Sequence, residues 1–246
     1  MARLSSGNRI NSAADDAAGL QIARRMDTEI QGLNQAVRNA ADAQALLQTA
    51  EGALDEVHTI LLRIRELSVQ ASNGTYGAQD RLAIQAEVTD LQSEITRISN
   101  DTTWNSISLI EGSQSTGITF QIGADNTQTV TVAIANIALA TLSIGGTSQV
   151  TTATNAMSYI AAVDKAISVI STNRGTYAAA INRLDHSVAN MQNAATNLAE
   201  AKGRITDADF AAETSNLSRT QVLQQASMAM LAQANAAKQN ILTLIQ

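Results

Sequence analysis

Residues 26–71 read MDTEIQGLNQAVRNAADAQALLQTAEGALDEVHTILLRIRELSVQA. Within this stretch Met26, Ile30, Leu33, Val37, Ala40, Ala43, Leu47, Ala50, Leu54, Val57, Leu61, Ile64 and Ala71 recur in steps of three and four, with one three-three stammer at Ala40. That spacing lays them along one stripe of an α-helix, predicted to begin near Ser12 and stop near Ser72. A helix of about 60 residues at 1.5 Å rise is about 90 Å long, beyond the diameter of a compact domain, so a rod is expected.

Working outward, Ser72, Asn73 and Gly74 supply a break. Asn73-Gly74-Thr75 matches an N-glycosylation acceptor, but it reads better as a helix-helix turn with Gly74 supplying a positive φ. Ile84, Val88, Leu91, Ile95 and Ile98 then form a shorter stripe to about Ser99. The period changes after it: Ile118, Phe120 and Ile122 alternate with polar residues, Gly123 to Asn126 carry turn chemistry, and Val130, Val132 and Ile134 alternate again, which predicts a β-hairpin. Residues 135–153, rich in Ser and Thr, read as an irregular connection. Ile160, Val163, Ile167, Ile170, Tyr177, Ile181, Leu184, Val188, Met191, Ala195 and Leu198 keep a heptad register in which only Arg174 is out of character, predicting a second long helix paired with the first. Gly203 is expected to end it and Thr206 or Asp207 to cap a last amphipathic helix carrying Leu217, Leu223, Met230, Ile241 and Leu244.

The expected fold is therefore mainly α: an elongated rod of long antiparallel coiled-coil-like helices, a small β-hairpin region and an amphipathic C-terminal tail helix. Residues 1–11 read as an N-terminal connecting segment, 12–202 as the helical rod with the hairpin and irregular region at 111–153, and 203–246 as a C-terminal connecting segment and terminal helix.

Composition narrows the function classes. The 246 residues are 45% hydrophobic but only 2% aromatic, and they contain no Pro. The apolar mass is thus Ala, Leu, Ile and Val, suited to helix seams rather than an aromatic-lined ligand pocket. A net charge of -6 without a basic cluster argues against nucleic acid. The absence of Cys excludes disulfides, thiolate metal sites and cysteine nucleophiles. No stretch approaches the roughly 20 apolar residues of a membrane span, and Met1 to Asn11 lacks the apolar run of a cleavable signal. His58 and His186 sit on different helices and no H-E-x-x-H occurs, so both read as solvated or seam-edge residues rather than ligands. Asp15-Asp16 and Asp207-x-Asp209 resemble carboxylate pairs for a metal, but each lies where a helix starts and reads as capping. No cofactor, metal or catalytic set is expected, and an enzyme hidden in residues 111–153 has no nucleophile-base pair to support it. Met228-x-Met230 fits either packing or an adaptable binding surface.

Three blocks carry a family resemblance. RLSSGNRINSAADDAAGLQIARRM, from Arg3 to Met26, resembles the N-terminal signature of bacterial flagellin, and GRITDADFAAETSNLSRTQVLQQASMAMLAQANAAKQNILTLIQ, from Gly203 to Gln246, resembles its C-terminus. Between them RIRELSVQASNGTYGAQDR, from Arg63 to Arg81, is similar to the first rod helix and turn. Family members begin further upstream, with an amphipathic segment that pairs with the terminal helix, so a truncated chain is expected. The resemblance implies a structural subunit of the flagellar filament, extracellular, exported by the flagellar type III route without a cleaved signal peptide. Its implied partners are other flagellin subunits, an export chaperone on the C-terminal helix through Leu217, Leu223, Met230, Ile241 and Leu244, and the flagellin-sensing Toll-like receptor of hosts. The receptor-recognition positions it implies are Arg63, Leu67 and Glu87, expected to be exposed on the monomer. The alternative is a flagellar hook-filament junction protein or a related truncated flagellin homologue; a junction protein should match less well across Arg63 to Arg81.

Overall fold

The computed structural model describes residues 1–114, 116–146 and 149–245, with side chains described as far as Ala234. In chain order the elements are α1 (Ala2–Ser6), α2 (Ala17–Ser72), α3 (Ala78–Asp101), β1 (Thr103–Trp104), β2 (Ile107–Ser108), β3 (Ile118–Gln121), β4 (Thr129–Val132), α4 (Leu139–Leu142), α5 (Ala153–Thr206) and α6 (Phe210–Ile245). They divide into two compact units, one of Met1–Gln31 with Ala195–Gln246 and one of Gly32–Ala194.

In the larger unit, the stripe of α2 becomes two interleaved seven-residue series. Ala40, Leu47, Leu54, Leu61 and Ser68 form one, Ala43, Ala50, Val57, Ile64 and Ala71 the other, and all ten are fully buried. A seven-residue apolar repeat averages 3.5 residues per turn and keeps one seam facing a partner helix. Ser68 occupies a seam position without leaving its hydroxyl unpaired, because it donates to the Ile64 carbonyl at 2.6 Å. On α5, Ala156, Val163, Ile170, Tyr177, Leu184 and Met191 answer at strict sevens, and all are buried. Ile160, Ile167, Ile181 and Val188, predicted for the seam, are only half-buried, while Tyr159, Ala166 and Ala180 are buried beside it.

Polar pairs fix the antiparallel register of α2 and α5 in this unit. Gln44 reaches Asp185 at 2.7 Å, Arg174 reaches Glu51 and Asp55, each at 2.7 Å, and Arg65 reaches Asp164 at 2.6 Å. Arg174 breaks the heptad pattern because it is an edge residue, half-buried, whose guanidinium bridges two α2 carboxylates. Hydrogen bonding to Glu51 raises its already high pKa. Helix α3 folds back on α2 through Ile84, Val88 and Ile95, all buried.

The α2–α3 turn differs from the expectation at one point. Gly74 does not take a positive φ. Asn73 shapes the turn instead: its carbonyl accepts the Tyr76 N–H at 3.4 Å and its side-chain oxygen accepts the Thr75 N–H at 3.3 Å. An Asn at the first position of a turn needs no left-handed residue after it.

The predicted hairpin is present as β3 and β4, paired antiparallel with Ile118 opposite Val132 and Phe120 opposite Val130. A second, two-residue hairpin, β1–β2, precedes it, turned by Asn105 and Ser106 at φ 48° and 66°. Two successive positive φ values make this the primed turn that matches strand twist. Of the expected irregular connection, residues 135–138, 143–146 and 149–152 are irregular around α4, and Ile137, Leu142, Ile144 and Val150 anchor it in the core. Gln92 of α3 donates to the Ile144 carbonyl at 2.6 Å and to the Tyr159 hydroxyl at 2.8 Å, so the connection is pinned to two helices.

In the smaller unit, α2 starts at Ala17 rather than near Ser12, because Asp16 caps it: its Oδ1 accepts the Gly19 N–H at 2.9 Å. Asp15 closes the preceding loop, its Oδ2 accepting N–H groups from Ser12 at 2.9 Å and Asn11 at 3.1 Å. Those bonds hold its carboxyl below the usual carboxylate range. Gly203 does not end α5, which runs to Thr206. One helical Gly costs only about 1 kcal/mol against Ala, and the last carbonyls have partners: the Arg9 N–H reaches Thr206 O at 2.6 Å and its guanidinium reaches Ile205 O at 2.7 Å. The cap of α6 is neither Thr206 nor Asp207 but Asp209, whose Oδ1 accepts from Ala211 N at 2.9 Å and Ala212 N at 3.2 Å. Asn8 and Asp207 form an isolated antiparallel bridge, and Lys202 pairs with Asp27.

Candidate functional site

Two surfaces concentrate what the chain can do. The first lies where α3 folds back on α2. Arg63 directs Nε and Nη2 at Glu87 Oε1, at 3.0 and 2.8 Å, and Nη1 at Glu66 Oε2, at 3.2 Å. The bond to Glu87 is the main cause of its raised pKa, and both side chains are about half exposed. Together they present a cation flanked by anions on a rigid helix pair. Leu67 does not share that surface. It is 2% exposed and belongs to the same buried cluster as Ile64 of α2 and Val88 of α3. The expected exposed triad is thus an exposed pair and a core residue.

The second surface is α6. Leu217 is half-buried, but Leu223 and Met230 stand 58% and 75% exposed. The side chains of Ile241 and Leu244 lie outside the described residues. Phe210, Val222, Met228 and Leu231 are also largely exposed, and the stripe of the sequence reading did not include Val222 or Leu231. At 3.6 residues per turn, Val222, Leu223, Met228, Met230 and Leu231 point around most of the helix circumference. The signal that could have found them is the scarcity of charge: between Phe210 and Gln246 only Glu213, Arg219 and Lys238 carry any. A helix apolar on most sides is the kind found inside a larger body.

Other candidate groups do not converge. His58 is half-buried on α2 and His186 is exposed on α5. Among the described residues no three or more His, Asp or Glu side chains gather as a metal site, and no helix is long and apolar enough to cross a membrane. An open cleft between α2 and α3 is lined by Gly52, Glu56, Glu94, Arg97 and Asp101, but its cation is engaged: Arg97 holds Glu94 at 2.6 Å and Asp101 at 2.9 Å.

Residues 1–115 match the bacterial flagellin N-terminal helical region, and residues 160–245 match the bacterial flagellin C-terminal helical region. A flagellin of Halalkalibacterium halodurans is 44% identical over 247 residues, covering 100% of this chain and 90% of that protein. A flagellin of Bacillus subtilis is 39% identical over 278 residues, covering 100% and 91%. The crystal structure of Bacillus cereus flagellin superposes with a TM-score of 0.56 at 32% identity, over 67% of this chain and 94% of that one. A putative flagellar hook-associated protein of Vibrio parahaemolyticus superposes with a TM-score of 0.66 over 78% of this chain and all of that one, but at 14% identity it shares the fold alone. These matches make the chain a structural protein of the flagellar filament class, which the heptad pairing of α2 and α5 fits. The chain belongs to the bacterial flagellin family.

Proposed function

We propose that this chain builds the flagellar filament by self-association, with α6 as the segment that neighbouring copies bury. The observation that carries the reading is the exposure of Phe210, Val222, Leu223, Met228, Met230 and Leu231 on one helix. Each such side chain moved from water into a packed interior contributes roughly 1.5 to 3 kcal/mol. Residues 12–202 then serve as the rod that packs laterally, and residues 1–11 and 203–246 as the segments that lead to the filament core. The polymerisation of the chain tests this, followed by sedimentation and electron microscopy. Val222→Asp with Leu231→Asp should abolish polymer while the melting of the helical rod is unchanged; polymer of normal yield from that variant would overturn the reading.

The same apolar surface must be covered before assembly. An export chaperone that wraps α6 through Leu217, Leu223, Met230, Ile241 and Leu244 meets that need during passage through the flagellar type III route to the cell exterior. Arg63 and Glu87, with Leu67 buried in the core, form the surface offered to a flagellin-sensing Toll-like receptor. A folded Arg63→Asp, Glu87→Ala variant should stimulate receptor-bearing cells far less than the parent, and equal stimulation would remove that role.

A further inference from the structure

We propose that Asn73 is a site of spontaneous deamidation, in which the backbone nitrogen of Gly74 closes on the Asn73 side-chain amide. Asn73 and Gly74 are both exposed in the α2–α3 turn. A Cβ built on Gly74 would meet nothing within 4 Å, so the turn leaves open space beside the Gly74 Cα. Among the described residues, the Gly74 N–H has no backbone acceptor, whereas the N–H groups of Asn73 and Tyr76 on either side are bonded to Gln70 O and Asn73 O.

The turn also arranges the electrophile. Because Asn73 Oδ1 accepts the Thr75 N–H at 3.3 Å, the side-chain carbonyl is folded back over the Gly74 peptide, close to the nitrogen that must attack it. As Gly74 N bonds to Asn73 Cγ, charge develops on Oδ1, and a donor already aimed at that oxygen stabilises it. Orientation of this kind replaces a conformational search that an unfolded chain would have to make.

Hydroxide removes the Gly74 amide proton and the N–Cγ bond forms. The Cγ–Nδ2 bond then breaks, and the leaving nitrogen takes up a proton from water and departs as ammonia. Water opens the resulting cyclic imide at either carbonyl, giving an ordinary aspartyl residue at position 73 or an isoaspartyl link in which the main chain runs through Cγ. Neither oxidant nor enzyme is needed. The isoaspartyl product adds a methylene to the backbone and displaces the Asn73 carbonyl, which now holds Arg81 Nη2 at 3.0 Å and Tyr76 N at 3.4 Å. The α2–α3 turn should loosen where it occurs. Nothing in this inference depends on how the protein assembles.

The test is to age the full folded chain at mildly alkaline pH, then map peptides and label isoaspartate with a protein isoaspartyl methyltransferase and S-adenosylmethionine. Label is expected at residue 73, accumulating at least as fast in the folded chain as in urea, and severalfold faster than at the Asn-Ser pairs Asn11-Ser12 and Asn105-Ser106. Gly74→Ala, which fits the turn because Gly74 has ordinary φ and open space, should slow it severalfold. Label at residue 73 that is much slower in the folded chain than in urea, or no faster than at the Asn-Ser pairs, would overturn the proposal. So would a Gly74→Ala variant that ages like the parent while melting like it.

Discussion

At Tyr177 one side chain serves two neighbours: the fully buried ring fills the α2–α5 seam, and the hydroxyl accepts the Ala135 N–H at 2.7 Å. Phenylalanine there would keep the ring and strand the amide, so Tyr177→Phe should cost about 1–3 kcal/mol in a denaturant melt. Burial pushes the hydroxyl of Tyr177 up, and that of Tyr159 likewise, with the Ala135 N–H and Gln92 respectively pulling back. A raised folded pKa gives stability that is complete below the unfolded tyrosine value, about 10, and is lost as pH rises through the folded one. Alkaline melts should therefore decline above about pH 10, and the decline should be smaller in Tyr177→Phe. A parent that stays equally stable through tyrosinate formation would refute this. Arg174 marks the contrasting case: it is a half-exposed bridge to Glu51 and Asp55, so Arg174→Met should cost no more than about 1 kcal/mol.

On the scale of helices, the seam decides stability. Leu47→Ala and Leu184→Ala each remove a fully buried seam residue and should cost about 2–5 kcal/mol, whereas Leu62→Ala, on the exposed side of α2, should stay within about 0.5 kcal/mol. Equal melts for all three would break the α2–α5 assignment. This seam was legible in advance because burial on a helix follows a period, and Ala40 to Ala71 obey it almost without exception. Legibility failed where a polar atom found a local partner: Ser68 is buried yet carries no apolar signal, and Gly203 stays helical because Arg9 satisfies the carbonyls just beyond it. It failed again where an element was too short to have a period, as in β1–β2, whose Asn105-Ser106 turn lacks the glycine that usually advertises it. Half-buried Ile167 and buried Ala166 exchanged expected roles because a volume-based reading favours the larger of two neighbours, whereas a close helix seam favours the smaller.

Across the whole chain, the apolar content of α6 was legible but its geometry was not. A single stripe on α6 was expected; the exposed residues instead surround most of the helix, so whatever covers it must reach several sides. Amide exchange over residues 217–234 should be fast in the monomer, since a lone helix with solvated side chains has little beyond its own hydrogen bonds to hold it, and slow in polymer. Strong protection at concentrations too low for association would show that the monomer covers α6 itself. The proposed recognition surface rests on resemblance alone: no physical feature of Arg63 or Glu87 in the sequence distinguishes them from a solvated helix face, and Leu67 carried no sign that it would be buried.

The chain has one tryptophan, Trp104, half-buried in β1 and packed against the core of the larger unit. Its indole is therefore a built-in optical reporter with a restricted field of view. Emission on heating follows the loss of packing around residues 32–194, while far-ultraviolet circular dichroism weighs every helical residue, α6 included. If α6 and the smaller unit melt on their own, the dichroism curve should begin to fall at temperatures where the fluorescence is still flat, and the interval between the two curves would measure how independently the ends of this chain come undone.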